Sequence, residues 1–425
     1  MDRENSSIAP LRSLTLELPP SCIEFCPAHP EYFVVGTYNL QKEEPTETNI
    51  SESSGDDDGE QQTSNKPQSR NGSLVVYRLT EKSDISHVQT VSCPSALLDL
   101  HFHPAPDKHE VAAVVSSTGT LSFYRLSPME PSSDSLKELA THKPLGDDNS
   151  VLFLSCAWHP TLHDLLAITT SDHRVHILRV DDSWCAHDTT SGPIITHTLE
   201  AWTVAFSPYL GDPSLVESDA DSEGLQVLTV FSGGDDSNLL STSCLYRPLR
   251  TSGDDEVIEA TCPTAATRGH EAGVTAILPL ALKLADGSRV VVTGSYDDCL
   301  RVYSIYPQDG GMMLKQPKML AGENLGGGVW RLKLIRLEDA GKSTSSKARQ
   351  WTALVLASCM HAGSRVLEVT GDYGEDCQVR VLAHFEEHKS MNYGSDFQPG
   401  SELSSLPLRC VSTSFYDRLL CLWES

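Results

Sequence analysis

Side chains suited to acid–base chemistry are concentrated in two short segments near the end of the 425-residue chain. The first segment, CMHAG, carries His361. The second, EEHKSMNYGSDF, carries His388, Ser390 and Asp396. Imidazole, hydroxyl and carboxyl groups can move protons or attack an electrophile, so these four residues are the first candidates for catalytic chemistry.

A run of three glycines at 326–328 stands before Trp330 and Arg331. Glycine reaches backbone angles that other residues avoid, and it leaves its N–H group uncovered. Such amides are useful beside an oxyanion. A plain turn would explain the same glycines, so both interpretations stay open.

Acidic and aromatic residues recur beside the predicted turns. Asp235 and Asp298 are extra acids in the turns FSGGDDS and SYDD, and Trp202, Tyr296 and Tyr416 are aromatic residues near such turns. Ring faces and carboxylates together suit a cation, including a quaternary ammonium group. The alternative for each residue alone is a solvated turn acid or an aromatic residue that packs between strands.

No familiar hydrolase or nucleotide-binding motif occurs: the chain lacks G-x-S-x-G, H-E-x-x-H and the P-loop. The twelve cysteines lack zinc spacing and are interpreted mostly as small buried hydrophobes. His101, His103 and His109 could suggest a metal cluster. However, His103 and His159 share a repeated His-Pro turn, which favours a structural role. No metal and no cofactor are predicted.

The net negative charge argues against nucleic acids and anionic membranes as partners. The chain has 32 basic and 58 acidic residues, a net charge of −26, which repels nucleic acids and anionic membranes. Its apolar runs are far shorter than the roughly 20 residues that span a bilayer. The N-terminus shows neither a signal-peptide nor a transit-peptide pattern. We therefore expect a cytoplasmic or nuclear protein with reduced cysteines.

Repeats organise the whole chain. Four alternating strands run into a proline turn, namely IEFCPAHP, LDLHFHP, SCAWHP and TVAFSP. Four others follow a turn, namely SDHRVHIL, SYDDCLRVY, FYDRLLCLW and NGSLVVY. Units of this size suit propeller blades of roughly 40 to 45 residues. The repeats predict an all-β, single-domain, seven-bladed β-propeller. The predicted blades are 22–79, 96–126, 155–180, 200–246, 268–305, 323–370 and 386–425.

Two segments outside the repeats have predicted roles. The polar, acidic stretch 41–70 has little to bury, so it is expected to be a disordered insertion in the first blade. The alternation in LRSLTLEL at 11–18 predicts a strand that completes the last blade and removes a free sheet edge.

The segments RGHEAGVTAI and VVTGSYDDCLRVYSI resemble the WD-repeat family. In that family a His, a strand Ser, a turn Asp and an aromatic residue form one buried hydrogen-bonded set. The resemblance assigns these roles to His270, Ser295, Asp297 and Tyr303, which are thus scaffold rather than a catalytic triad. By the same template, His361 replaces a turn Asp, and His388 loses its serine anchor to Phe415.

Blades five to seven resemble a more specific family, the diphthine methyl ester hydrolases of diphthamide biosynthesis. The motifs that carry this resemblance are GSYDD, GGGVWRLK, CMH, EHKSMNYGSDF and SFYDRLLCLW. It implies hydrolysis of the methyl ester on the modified histidine of elongation factor 2, before amidation. Elongation factor 2 is then the partner, with other diphthamide-pathway enzymes as further candidates. The trimethylammonium group of that substrate suits the acidic, aromatic residues.

Under this resemblance, His361 or His388 is the general base, and Asp396 orients one of them. Arg331 or the amides of 326–328 lie near the oxyanion, and Ser390 is the alternative nucleophile. Substrate binding is assigned to Trp330, Arg331, Tyr393, Tyr416, Asp298 and Asp235. The competing hypothesis is a non-catalytic scaffold that binds a protein on the face of blades five to seven.

Overall fold

The computed structural model describes residues 7–40, 70–128, 134–190, 192–211, 225–246, 258–307, 315–339, 350–374, 376–401 and 407–425. Within these ranges every named element is a β-strand. They contain no helix long and apolar enough to cross a membrane. The insertion predicted at 41–70 lies outside the described residues, apart from Arg70, which begins a strand.

The first half of the chain builds three sheets and starts a fourth. Sheet one contains β2 (Pro20–Cys26), β3 (His29–Thr37), β4 (Asn39–Leu40), β5 (Arg70–Leu79) and β6 (Ile85–Cys93). Sheet two contains β7 (Leu97–Phe102), β8 (Val111–Ser116), β9 (Leu121–Leu126) and β10 (Leu136–His142). Sheet three contains β11 (Phe153–Trp158), β12 (Leu165–Thr170), β13 (Arg174–Val180), β14 (Ala186–Asp188) and β15 (Ile195–Thr196).

The second half builds the rest. Sheet four contains β16 (Ala201–Phe206), β17 (Gln226–Gly234), β18 (Leu239–Tyr246), β19 (Ile258–Ala260) and β20 (Ala265–Thr267). Sheet five contains β21 (Val274–Lys283), β22 (Arg289–Ser295), β23 (Cys299–Ile305) and β24 (Lys318–Asn324). Sheet six contains β25 (Arg331–Asp339), β26 (Gln350–Ser358), β27 (Ser364–Asp372) and β28 (Cys377–Phe385). Sheet seven contains β29 (Gly394–Phe397), β30 (Arg409–Ser414), β31 (Leu419–Glu424) and β1 (Arg12–Thr15).

The seven antiparallel sheets form a closed ring, which confirms the predicted seven-bladed β-propeller. The first strand of each blade contacts the first strand of the next, and β29 returns to β2. These first strands therefore line a central channel. We call one end of the ring the upper face: it carries the turns between second and third strands and the connections between blades. The opposite end is the lower face.

Burial follows the position of a strand in its blade. Every residue of β8 is buried, because a second strand lies between two blades and needs apolar side chains on both faces. The outer strand β28 instead alternates half-buried and exposed residues, as expected when one face meets solvent. Middle strands therefore appear in the sequence as continuous apolar runs.

The apolar core is divided among the seams between neighbouring blades. Blades five and six, for example, share a cluster that includes Val292, Leu300, Trp351 and Val355. Blades seven and one share another, with Leu420 and Leu422 packed beside Phe25 and Phe33. Because each seam needs both of its blades, no blade can bury its own apolar surface alone.

A strand from the N-terminus joins the last blade. β1 pairs antiparallel with β31, and Arg12 lies opposite Leu422 while Thr15 lies opposite Leu419. This strand lies within the segment 11–18. It covers the outer edge of β31 and links the two ends of the described chain within one sheet.

The hydrogen-bonded set proposed for blade five needs a correction. His270 Nε2 is 2.9 Å from Thr293 Oγ1 and does not bond to Ser295, whose hydroxyl donates to the carbonyl of Ala272. Asp297 pairs with Arg301 at 2.9 Å. The anchor lies two residues earlier in β22 than the WD-repeat resemblance implied. The residues still form a scaffold rather than a triad.

Blade four contains a complete set that the sequence analysis missed. His197 Nδ1 lies 3.0 Å from Asp236 Oδ1, and its Nε2 lies 2.9 Å from Ser232 Oγ. The His197 side chain is fully buried, so this trio also holds a blade together. Its histidine follows Pro-Ile-Ile-Thr rather than a glycine, which is why the Gly-His pattern did not find it.

Candidate functional site

Aromatic rings follow one another across the upper face from blade four to blade one. Trp330 is the central ring: its centroid lies 5.7 Å from that of Trp202, 5.8 Å from Tyr296 and 5.0 Å from Tyr393. From Tyr393 the contacts continue through Phe415 at 5.6 Å. We call this group the aromatic arc; its members are Trp202, Tyr296, Trp330, Tyr393, Phe415, Tyr416 and Tyr38.

The positions of these rings in the chain explain why they meet. Trp330 and Tyr393 stand directly before the first strands β25 and β29, and Tyr296 follows the second strand β22. Such segments all reach the upper face. The sequence analysis missed two members of the arc. It considered Phe415 only as the residue that replaces the serine anchor of His388, and it did not consider Tyr38.

The arc offers neutral ring faces. Burial raises the pKa of Tyr296 and of Tyr393, so both phenols stay protonated near neutral pH. Tyr416, at the end of the row, is 71% exposed. Neutral, partly exposed rings at these separations can hold a cation over their faces.

A carboxylate is fixed at one end of the arc. Asp235 is exposed, and its Oδ1 accepts a hydrogen bond of 3.2 Å from Trp202 Nε1. A β-carbon on Gly273 would lie 2.7 Å from that Oδ1 and 3.0 Å from the ring of Tyr296. Only glycine therefore lets this backbone pass between the acid and the ring.

Asp298 lies in the turn after Tyr296 and is half-buried. Its backbone has a φ of 65°, in the left-handed region. Its carboxylate makes no hydrogen bond or ion pair with the residues that the structure describes. It is thus a second upper-face acid whose charge is not neutralised by a described neighbour.

His361 is exposed and, in contrast to His388, it makes no hydrogen bond or ion pair with any described residue. Its turn packs against the glycine run at 326–328. A β-carbon on Gly327 would lie 2.5 Å from the carbonyl oxygen of Cys359, and one on Gly328 would lie 2.8 Å from the sulfur of Met360. The fold therefore brings the turn of His361 and the three glycines together, although 32 residues and two strands separate them.

One N–H group of the glycine run, that of Gly326, already donates a hydrogen bond. Gly326 has a φ of 82°, and its N–H donates to Asn324 Oδ1 at 2.9 Å. The N–H groups of Gly327 and Gly328 donate to no group within the described ranges. Both glycines are buried, so these two amides are without a described partner beneath the upper-face surface.

The expectation that His388 lacks an anchor is wrong. Its Nε2 lies 2.7 Å from Ser412 Oγ, which also accepts the indole N–H of Trp423 at 3.0 Å. The histidine is buried, and burial lowers its pKa to about 4. Ser412 stands three residues before Phe415, so the template had been placed three residues too late on this strand. His388 belongs to the scaffold of blade seven.

The hydroxyl group of Ser390 is also hydrogen-bonded within its own blade. Its hydroxyl donates to Asp417 Oδ1 at 2.6 Å and accepts the N–H groups of Tyr416 and Asp417 at 3.0 and 3.3 Å. These bonds join the connection before β29 to the turn after β30. Such a hydroxyl holds Tyr416 in place, and it is poorly placed to act as a nucleophile.

Arg331 and Asp396 lie in the central channel rather than beside His361 or His388. Arg331 forms a two-pronged ion pair with Asp99 of blade two, at 2.9 and 3.2 Å. Lys333 lies 2.8 Å from Asp396 and 3.1 Å from Glu24 of blade one. Asp396 accepts the N–H of Phe25 as well, so it cannot orient either histidine. The guanidinium group of Arg331 is likewise already paired, with the carboxylate of Asp99.

His101 joins the two halves of this channel network. It lies 3.1 Å from Glu24 and 3.4 Å from Asp99. Burial alone lowers its pKa, but the two carboxylates overcome that effect and raise the pKa to about 10. Burial raises the pKa of Asp99, yet Arg331 and His101 hold it well below its usual range. The network thus alternates positive and negative groups around the channel.

The channel residues that the sequence analysis missed did carry a signal. Glu24, Asp99, His101 and Lys333 are charged or polar residues on the inward side of first strands, and the sequence analysis considered His101 only for a metal cluster. Alternation marks which face they share. It does not tell which blade supplies the partner, because the partners are up to 309 positions apart.

Comparison with known proteins gives one consistent result, although no family model matches the chain. A diphthine methyltransferase from Schizosaccharomyces pombe is 29% identical over 367 residues, which cover 84% of this chain and 86% of the relative. A diphthine methyltransferase homolog from Dictyostelium discoideum is 25% identical and covers 96% and 97% of the two chains.

The diphthine methyltransferase of Mus musculus is 26% identical over 402 residues, 91% of this chain and 69% of the relative. These matches include the N-terminal half, which the sequence motifs related only to propellers in general. The resemblance drawn from blades five to seven is therefore confirmed: this seven-bladed propeller is similar, over most of its length, to proteins named diphthine methyltransferase.

Proposed function

We propose that the protein acts in diphthamide biosynthesis and hydrolyses the methyl ester of methylated diphthine on the modified histidine of elongation factor 2. The names of its relatives support the pathway. The family resemblance of blades five to seven supports ester hydrolysis and elongation factor 2 as the substrate. Methanol is the second product, and the carboxylate that remains is the group that a later step amidates.

The observation that carries this proposal is the aromatic arc with Asp235 at its end. The substrate bears a trimethylammonium group, which cannot donate hydrogen bonds and is recognised by ring faces and nearby carboxylates. Trp202, Tyr296 and Trp330 are in mutual contact, and Asp235 bonds to the first of them. The upper face therefore suits the cationic end of the substrate.

Hydrolysis then needs a base and an oxyanion site next to the ester. In our proposal His361 takes a proton from water, whose oxygen attacks the ester carbonyl carbon. The N–H groups of Gly327 and Gly328 stabilise the oxyanion that forms. The carbon–oxygen bond to the methoxy group then breaks, and the proton held by His361 passes to the leaving methoxide oxygen, which gives methanol. Asp298, in the turn beside Tyr296, adds negative charge for the cation.

The other residues named from the sequence take supporting roles in this proposal. His388 and Ser390 hold blade seven, and Arg331 and Asp396 hold the channel. Trp330 and Tyr393 bind the cation as ring faces, and Tyr416, being the most exposed ring of the arc, contacts the protein substrate.

The test is mass spectrometry of elongation factor 2 that carries methylated diphthine, before and after incubation with the purified protein alone. We expect the modified peptide to lose one methylene mass and methanol to appear. Gain of a methyl group on unmethylated diphthine, only when a methyl donor is added, would instead support a transferase, as the relatives are named. Stable binding without any mass change would overturn the enzyme and favour the scaffold.

A further inference from the structure

A hairpin on the lower face carries three metal-ligating side chains that the proposed function does not use. Asp181 directly follows the third strand of blade three, β13, Cys185 directly precedes the fourth strand, β14, and His187 lies within β14. Their carboxylate, thiol and imidazole donor atoms all lie within 4.8 Å of one another. We propose that Asp181, Cys185 and His187 form a binding site for a zinc ion.

The backbone of the hairpin explains why these side chains converge. Val180 pairs with Ala186, so β13 and β14 are joined by a tight turn in which Trp184 has a φ of 62°. Cys185 directly precedes β14, its carbonyl accepts the N–H of Asp181 at 3.0 Å, and His187 follows two residues later, so the two side chains point to the same side. Asp181 faces them from the other arm of the hairpin.

The distances suit tetrahedral coordination. His187 Nε2 lies 3.2 Å from Asp181 Oδ2. Zinc binds nitrogen and oxygen ligands at about 2.0 to 2.2 Å, so two such ligands at a tetrahedral angle lie roughly 3.3 to 3.5 Å apart. The two atoms are therefore already close to the spacing that the ion requires.

The carboxylate is oriented by the turn itself. Asp181 Oδ1 accepts the N–H groups of Ser183 and Cys185, at 2.8 and 2.9 Å, while Oδ2 is left toward His187. Metal ligands are commonly held in this way by a second layer of hydrogen bonds.

Neighbouring charges do not oppose a cation strongly. Arg179, which lies opposite His187 in the hairpin, pairs with Asp164 at 3.6 Å, and Lys108 pairs with Asp182 at 2.8 Å. Asp188, the next residue of β14, points to the opposite side of the strand, where its Oδ2 lies 3.5 Å from His176 Nδ1. The protein as a whole carries a net charge of −26.

The donor set selects the class of metal. A thiolate with an imidazole favours zinc over calcium or magnesium, which prefer oxygen ligands. Binding converts the Cys185 thiol to a thiolate and releases its proton to water. Three protein ligands leave a fourth position for water or an added ligand. Asp181 also lines a cavity of about 380 Å³ that contains Asp107, His163 and Trp184, so solvent can reach this part of the hairpin.

The site is remote from the aromatic arc, because the turn between third and fourth strands lies on the lower face. The zinc site and the proposed ester hydrolysis can therefore be tested independently of each other. Cys185, His187 and Asp181 are all partly or fully exposed, so their substitution should leave the blade folded.

The experiment is metal titration of the full chain after treatment with a chelator. Zinc is titrated by calorimetry, and cobalt is used as an optical probe because a thiolate ligand gives a charge-transfer band. We expect one ion per chain, proton release on binding, and a melting temperature that rises with zinc. Cys185→Ser and His187→Ala should each weaken zinc binding by more than about tenfold, and Cys185→Ser should abolish the cobalt–thiolate band.

Cys377→Ser is the matched control, because Cys377 is also a half-buried cysteine near a strand terminus, in blade six. It should bind zinc like the unaltered protein. Circular dichroism establishes that each variant is folded. Equal zinc affinity in Cys185→Ser and the unaltered protein, or cobalt binding without a thiolate band, would overturn the site.

Discussion

At the scale of single residues, the upper face separates cation binding from proton transfer. Trp330 touches three other rings and can only contribute a ring face and an indole N–H. His361 is exposed, makes no hydrogen bond to a described residue and can exchange a proton with water. The two residues should therefore affect different kinetic constants.

Replacing Trp330 by Ala should raise KM more than it lowers kcat. Cation–π contacts are worth about 0.5 to 2 kcal/mol, so we expect KM to rise roughly 2- to 30-fold, while Trp330→Phe retains most of the affinity. Steady-state kinetics on methylated elongation factor 2 measures both constants. An unchanged KM in Trp330→Ala would exclude the arc from substrate binding.

Replacing His361 by Ala should lower kcat by well over tenfold with little change in the free energy of unfolding, because the exposed side chain makes no hydrogen bond or ion pair with a described residue. His87, an exposed histidine on the outer strand of blade one, provides the control variant His87→Ala, which should keep full activity. If His361→Ala turns over at the normal rate, another group must be the base.

At the scale of the element, blades four, five and seven are each locked by a histidine that reaches from the connection before the blade into its second strand. His197, His270 and His388 bond in this way to Ser232, Thr293 and Ser412. All three histidines are buried. Burial lowers the pKa of each, so the neutral ring is the folded form.

His388→Ala should therefore lower stability rather than remove a catalytic base. It leaves Ser412 without its histidine partner and opens a void beside Phe385, and we expect a loss of about 1 to 3 kcal/mol. Urea unfolding compared with His361→Ala measures the difference. If His388→Ala has normal stability but no turnover, His388 takes part in catalysis and its role is not structural.

At the scale of the whole molecule, the ring is closed twice, by β1 on its outside and by charge pairs across its channel. Arg331 and Lys333 of blade six reach Asp99, Glu24 and Asp396 of blades two, one and seven. The pairs tie first strands together that share no backbone hydrogen bonds. His101 completes the pattern as a cation.

This network predicts a pH dependence. The pKa of His101 is raised from 6.5 to about 10 in the folded protein, so its contribution to stability is fully present below about pH 6.5 and is lost as the pH rises toward 10. The denaturation midpoint of the unaltered protein should fall across this range more steeply than that of His101→Gln. Parallel curves for the two proteins would mean that His101 is neutral in the fold.

The amino-acid sequence by itself determined the architecture. Continuous apolar runs such as VAAVVS and the turn residues between them set strand length and burial locally, so the number of blades and their first strands could be predicted. The same turns put Trp202, Tyr296, Trp330 and Tyr393 on one face. Similarity to relatives could be inferred from motifs that are contiguous in the chain.

Only the tertiary structure decided which side chains are partners. The anchor of His388 depends on the register of β30, where a shift of a few residues exchanges Ser412 for Phe415. The channel ion pairs join residues of four blades, and no local pattern specifies them. Strand alternation is a property of neighbours in sequence, whereas a hydrogen bond or an ion pair requires two side chains at one place in space, and ring closure alone brings those distant segments together.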